Sequence, residues 1–396
     1  ECHRLGIDGA ILRSLFTQAQ HAPWPWRAKF ADALNAAERL DPPPLGAEAP
    51  AKPAAADRAG PSSAGPRRRR RGCGFWAVAD VDQIQRRLAE VELLKDRRAS
   101  TEQVLGKLLA APDRSLPMAR PAHVQAVEGL VDRFPNFAAV CRWVADQIEL
   151  GHACGEPLRL RPALLLGPPG IGKTMFCHSL AAALDAELCF RSLAEASASW
   201  LISGSSTQWA GGEPGVVAQH IARCGPRRLP LFVFDELDKA SAGRNYPVAS
   251  VLLGMLEPVT ARRFRDEALE IEMDLRPASF LFTANERRRV APELLSRMDV
   301  LEVQLPSAFE LPTVIASIDA QLRRERPALA RLFAPLSAHV LQCLEQVAPR
   351  DLRRHLESAY AVAGRRKAKA AGALELGIED FPSHVVAADR VDTTLH

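Results

Sequence analysis

Of the 396 residues, 47% are hydrophobic and 25% charged, an ordinary balance for a soluble globular chain long enough for roughly two or three domains. No apolar run reaches the length of a membrane span and no apolar signal segment opens the chain, so no membrane association is expected; the 8 cysteines are scattered without a Cys-x-x-Cys pair, and Cys141 and Cys154 stand too far apart for a zinc knuckle, so they read as reduced thiols in the cytoplasm. The net charge of +4 includes the run Arg67–Arg71, without which the chain is close to neutral, so composition gives no support to nucleic-acid binding by the whole chain.

The chain opens on Glu1 rather than methionine, which is consistent with a fragment, a processed form or a mis-set start. Residues 1–41 pattern as a helical segment: Ile11, Leu12, Leu15 and Phe16 share one face, and Phe30, Leu34 and Leu40 follow the Trp24-Pro25-Trp26 break. Residues 42–72 shift to Pro, Ala, Gly, Ser and Arg with almost no large apolar side chain. Such a stretch buries too little surface to offset its ordering entropy and is expected to be a disordered linker. Residues 73–125 return to a helical pattern, with Val81, Ile84, Leu88, Val91 and Leu94 in one stripe and Val104, Leu105, Leu108 and Leu109 in another. Val140, Val144 and Ile148 give a helix leading into the next region, and Phe134-Pro135-Asn136-Phe137 just before it is expected near a bound base.

The apolar run Ala163–Leu166 reads as a buried strand, and Phe176, Leu180 and Leu184 open a helix eight or so residues on. Between them Gly167, Pro168, Pro169, Gly170, Ile171, Gly172, Lys173 and Thr174 match G-x-x-x-x-G-K-[ST], the loop whose backbone N–H groups cradle a nucleotide's phosphates. The glycines allow the tight approach, Lys173 reaches the β- and γ-phosphates, and Thr174 supplies a magnesium ligand. Further short strands, Leu188–Phe190, Leu231–Phe234, Phe280–Thr283 and Val300–Val303, alternate with helical segments. That alternation predicts an α/β fold, a parallel sheet covered on both faces with ligands at the strands' carboxyl ends.

Those ends carry suitable chemistry. Asp235 and Glu236 follow the second of these later strands, the first carboxylate to hold the magnesium shell and the second to orient and deprotonate the attacking water. Asn285 ends the next strand, where a neutral amide can hydrogen-bond the water or the γ-phosphate. Arg297 and, in the helical C-terminal part, Arg350 are cations of the kind that stabilise charge during phosphoryl transfer.

Together, Gly167–Thr174, Phe234–Lys239 (Phe-Asp-Glu-Leu-Asp-Lys), Leu269–Leu275, Thr283–Asn285 and Leu294–Val300 resemble the ATPase module of Lon-family AAA+ proteins, over roughly half the chain. The resemblance implies a nucleotide-binding domain over 126–305 with a five-stranded parallel sheet, and a small helical lid with a C-terminal tail over 306–396. It implies Asn285 as the sensor-1 residue, Arg297 as the arginine finger and Arg350 as the sensor-2 arginine, with ATP and Mg²⁺ bound between the subunits of a homo-oligomeric ring, usually a hexamer. It also implies that Trp209, Ala210 and Gly211 form a pore loop that grips an extended protein substrate. The resemblance covers the motor and not the serine–lysine peptidase that follows it in Lon proteases. The expected activity is therefore ATP hydrolysis coupled to remodelling or threading a protein partner. A nucleotide-dependent switch or scaffold, a DNA-associated ATPase recruited by Arg67–Arg71, and a truncated Lon protease fit the same motifs.

Overall fold

A computed structural model describes residues 75–93, 99–194, 199–205, 212–240, 248–366 and 373–382. All lie within one compact unit, Arg69–His396. The helices expected over 1–41 and the linker expected over 42–72 lie outside the described residues.

The described chain begins with a small antiparallel strand pair. Strand β1 (Phe75–Ala77) pairs antiparallel with β2 (Asp113–Ser115), and the helices α1 (Val81–Leu93) and α2 (Ala99–Ala110) connect them. Sequence patterning gave only helices here. Strands of three residues are too short to show a period, and tertiary contacts define them: Trp76, 2% exposed, donates its indole N–H to the Asp274 carbonyl at 2.9 Å. The helical stripes are real, since Ile84, Leu105 and Leu108 are fully buried. After them come α3 (Pro121–Glu128) and α4 (Ala138–Ala153), the latter entered through a 3₁₀ turn at Pro135–Phe137.

The alternating half follows. In chain order it contains β3 (Ala163–Leu166), α5 (Lys173–Ala183), β4 (Glu187–Ser192), α6 (Trp200–Ser203), α7 (Val216–Arg223) and β5 (Pro230–Asp235), then α8 (Val248–Leu256) and α9 (Pro258–Ala261). A short antiparallel pair, β6 (Phe264–Arg265) with β7 (Glu272–Met273), precedes β8 (Ser279–Ala284), α10 (Pro292–Leu295) and β9 (Asp299–Glu302). The five long strands form one sheet in the order β4-β5-β8-β3-β9, every neighbouring pair parallel. Because successive side chains point to opposite faces, each central strand feeds two cores. Phe232 and Phe234 of β5 and Leu164 and Leu166 of β3 pack on the face closed by α1, α2 and α8. Leu231, Val233, Ala163 and Leu165 pack on the face closed by α4 and α5.

Four further helices, α11 (Leu311–Glu325), α12 (Pro327–Leu332), α13 (Ala338–Leu344) and α14 (Pro349–Arg366), form a separate apolar cluster around Ile315, Leu322, Leu352 and Leu356. One polar network crosses it. Arg323 donates to Asp319 Oδ2 at 2.7 Å, to the carbonyls of Phe333 and Ala334 at 2.9 and 2.6 Å, and to the Tyr360 hydroxyl, which itself donates to Asp319. With its donors satisfied, the network ties α11 to α14 instead of penalising the core.

Burial also builds in a pH dependence. His220 of α7 is 9% exposed, lies edge-on to Phe232 with centroids 4.8 Å apart, and bonds the Glu187 carbonyl through Nε2 at 3.0 Å. Burial pulls its pKa down from 6.5 to about 4, the Glu187 bond opposes this, and the guanidinium groups of Arg191, Arg223 and Arg114 add to it. Unfolding therefore takes up a proton between those values, so stability is lost as pH falls through that window, by up to about 3 kcal/mol. Urea denaturation at pH 7 and pH 4.5 should show the wild type losing more stability than His220→Gln. Equal losses would remove His220 as the cause.

Candidate functional site

The site starts where β3 stops. The chain turns through Gly167–Gly172 and re-enters a helix at Lys173. A Cβ at Gly167 would lie 2.2 Å from the Val303 carbonyl oxygen, so no side chain fits there. Gly170 and Gly172 have φ of 84° and 99°, in the region that only glycine enters without strain. This loop leads directly into α5, whose first-turn N–H groups have no intrahelical acceptors.

Lys173 is 8% exposed, and its ammonium donates to the carbonyls of Gly167 at 2.7 Å and Pro168 at 3.0 Å and to Asn285 Oδ1 at 2.8 Å. Burial lowers its pKa, and the carboxylates of Asp235 and Asp238 work against that. The strand-end residues thus converge on the loop lysine. Asp235 accepts from Thr174 Oγ1 at 3.0 Å on one carboxylate oxygen and from the Thr283 hydroxyl on the other. The same Thr283 oxygen accepts the Glu236 N–H at 3.1 Å. Glu236 itself sits in the left-handed region (φ 60°, ψ 46°), a conformation that costs on the order of 1 kcal/mol or more for a residue with a side chain and recurs at working sites. Its carboxylate accepts from Ser192 Oγ at 3.1 Å and from the Lys239 ammonium. The Lys239 bond, with the Ser192 bond behind it, holds Glu236 below the usual carboxylate range, so it is ionised at neutral pH.

A cavity of about 600 Å³ opens over this edge. The loop, Asp235, Glu236 and Asn285 form its floor, Phe134 and Asn136 line one end, and the lid supplies Arg350 and Arg353. Arg350 lies over the loop: a Cβ at Gly170 would be 3.0 Å from Arg350 Cβ. Its guanidinium is 3.5 Å from Asp351, whereas that of Arg353 is engaged by Glu325 at 2.5 Å and Glu357 at 3.3 Å. Arg297 does not line the cavity. It donates to Glu257 Oε2 at 2.9 Å, to the Glu293 carbonyl at 3.0 Å and to Ser296 Oγ at 3.3 Å. Trp209, Ala210 and Gly211 lie outside the described residues, but the base of their loop is closed: Ser205 N–H donates to the Glu213 carbonyl at 3.0 Å and Glu213 N–H to Ser205 Oγ at 2.8 Å.

Sequence reasoning missed Thr283, Ser192, Lys239 and Arg353. Thr283 and Ser192 stand at the carboxyl ends of β8 and β4, and that position was the available signal. Lys239 lies inside the Phe234–Lys239 motif and Arg353 one helical turn after Arg350. Among the described residues no group of three or more His, Cys, Asp or Glu side chains could hold a metal. The hydroxyl–carboxylate pair of Thr174 and Asp235, 3.0 Å apart, nevertheless suits magnesium, which takes few protein ligands and fills its shell with phosphate oxygens and water.

A parallel sheet with a phosphate-binding loop after β3, an acidic pair after β5 and a polar residue after β8 defines a P-loop nucleotide-binding domain. Residues 163–305 match the family described as "ATPase family associated with various cellular activities (AAA)", and they are an AAA domain. Within that class the module is Lon-like. It is 30% identical over 248 residues to a Lon protease of Roseiflexus castenholzii, covering 61% of this chain and 30% of that protein. It is 37% identical over 140 residues to a Lon protease of Methanosarcina barkeri, covering 35% and 17%, and 30% identical over 177 residues to Lon protease 2 of Thermus thermophilus, covering 44% and 22%. The chain thus spans less than a third of the length of these curated relatives, over their ATPase part.

Two substitutions separate binding from turnover. Lys173→Ala should abolish tight ATP binding if the loop takes the phosphates, because the ammonium held on its carbonyls is gone. Glu236→Gln should bind ATP and stall, with turnover reduced by at least about 10²-fold. Equilibrium binding of a fluorescent ATP analogue, read beside phosphate release, checks both.

Proposed function

We propose that the chain hydrolyses ATP with Mg²⁺ and couples the reaction to remodelling or threading a protein partner. The observation that carries the hydrolysis is the continuous hydrogen-bonded chain Thr174–Asp235–Thr283–Glu236 beside the Lys173–Asn285 bond. It brings together the hydroxyl–carboxylate pair of Thr174 and Asp235, the Glu236 carboxylate and the Lys173 ammonium, which supports that reading. Thr174 and Asp235 would hold magnesium, which when bound neutralises charge on the phosphate oxygens. Lys173 exchanges its loop carbonyls for the β- and γ-phosphates. Asn285 orients the water, Glu236 accepts its proton as the water oxygen attacks the γ-phosphorus, and the bond to the ADP leaving oxygen breaks. Ser192 and Lys239 hold the Glu236 carboxylate from behind, and Arg350 of the lid closes over the phosphates.

Two features support assembly into a ring of copies. Arg297 stands outside its own cavity, as an arginine finger for a neighbouring subunit does, and its partners are exposed groups it can leave. The Lon-like similarity of the domain favours a protein substrate, held by Trp209, Ala210 and Gly211. Turnover should therefore rise when an unfolded polypeptide is added and fall back in Trp209→Ala. Stimulation by DNA instead, with a steep salt dependence, would favour a nucleic-acid partner.

The finger gives a sharper test. Arg297→Ala should leave ATP affinity nearly intact and lower turnover by on the order of 10³-fold, and Arg297→Lys should rescue poorly because a point charge cannot reproduce the planar fork. Mixed with Lys173→Ala subunits, which keep the finger, Arg297→Ala subunits should regain activity. Mixed oligomers without regained activity would overturn action between subunits.

A further inference from the structure

The working position of Asn285 needs an explanation that the sheet itself does not supply. Strand β8 ends at Ala284, whose carbonyl accepts the Gly167 N–H at 3.2 Å. Beyond that point β5 has already turned away at Asp235, so the ladder offers no acceptor to the next N–H groups of the β8 chain. Those are the N–H groups of Asn285 and Glu286, directly behind the amide that meets Lys173.

Both go to one side chain. Asp238, in the 3₁₀ turn Leu237–Lys239, accepts Asn285 N–H and Glu286 N–H on the same oxygen, Oδ2, each at 3.1 Å. Asp238 is 8% exposed, and its other oxygen, Oδ1, is buried without a hydrogen bond among the described residues. A buried carboxylate left half-satisfied is costly, and a structural cap for two N–H groups needs only a neutral acceptor. The turn that places Asp238 is fixed in turn by the left-handed Glu236 immediately before it. One carboxylate therefore connects the acidic turn after β5 to the amide-bearing turn after β8.

We infer that Asp238 is a positioning residue for the reaction: by anchoring the backbone of Asn285 and Glu286 it sets the place from which the Asn285 amide reaches the loop. The inference rests on the hydrolytic role proposed for Asn285. Asp238 touches no substrate. It acts through Asn285, so its loss should slow the chemical step while leaving the phosphate loop, and hence nucleotide affinity, in place.

The test is a double-mutant cycle on the full chain with ATP. Asp238→Ala should lower kcat by at least about tenfold with KM and the affinity for a fluorescent ATP analogue within about threefold. Asp238→Asn, which keeps an acceptor oxygen at the same reach, should restore kcat to within about threefold of wild type. The double variant Asp238→Ala/Asn285→Ala should be no slower than Asn285→Ala alone, because two residues acting through one position are not additive. If Asp238→Ala has no cooperative thermal transition, Asp238→Val, which fills the site with an apolar group and removes the acceptor, is judged by the same criteria. A wild-type kcat in the acceptor-free variant, a double variant slower by the product of the singles, or an Asp238→Asn as slow as Asp238→Ala each overturns the inference while leaving Asn285 in its role. A wild-type kcat in Asn285→Ala overturns that role, and the inference with it.

Discussion

The parallel pairing of β3 with β8 on one side and β9 on the other is the constraint on which the site depends. Leu166 stands opposite Ala284 and Glu302, so the phosphate loop, Asn285 and Val303 all leave the sheet at one height. Gly167 can then pass within van der Waals contact of the Val303 carbonyl, which only a residue without Cβ permits. A one-residue slip of β3 would turn Leu164 and Leu166 out of one core and into the other and move the loop away from the carboxylates. The two apolar cores that hold this register also fix the geometry of the cavity.

At that edge, charge balance organises the side chains. Lys173 is buried enough for its pKa to be lowered, yet three oxygens of the loop and Asn285 take its donors and nearby carboxylates oppose that lowering. Asp235 is engaged by hydroxyls of α5 and β8 on its two oxygens, and Glu236 by groups from β4 and the following turn. Each acid is therefore held from two elements, which fixes the geometry of the edge. Arg350 and Arg353 come from α14, tied through α11 to a core separate from that of the sheet. The cavity is lined by residues of the sheet edge and of α11 and α14.

The strand pair and helices of residues 75–115 belong to the same arrangement. Val78 accepts the Asp274 N–H at 2.8 Å and Arg87 pairs with Glu270 at 2.9 Å, so this segment holds the β6–β7 turn. The other side of that turn is held by Asp266, which is fully buried and accepts N–H groups of Gly215, Ala268 and Leu269 at 2.8, 3.0 and 2.9 Å. Asp266 thus links Gly215, which precedes α7, to the turn that the segment 75–115 also holds.

The sequence by itself determined the sheet class and the nucleotide loop, because both are local. A continuous apolar run marks a strand buried on both faces, and G-x-x-x-x-G-K-T specifies a backbone path through its glycines. The acidic pair and Asn285 were legible because they directly follow such runs. Only the tertiary structure decided what depends on residues far apart in the chain meeting at the sheet edge. That includes the β1–β2 pair, where Trp76 meets the Asp274 carbonyl, and the hydroxyls of Thr283 and Ser192, ordinary residues until β8 and β4 bring them to Asp235 and Glu236. It includes the separation of Arg350, over the loop, from Arg297, outside the cavity, two arginines that look alike in sequence. It also includes Asp238, whose two backbone partners lie 47 and 48 residues away. Periodicity records which face a residue turns to its own element; which partner waits there is set by strand order, and that is fixed only when the whole sheet packs.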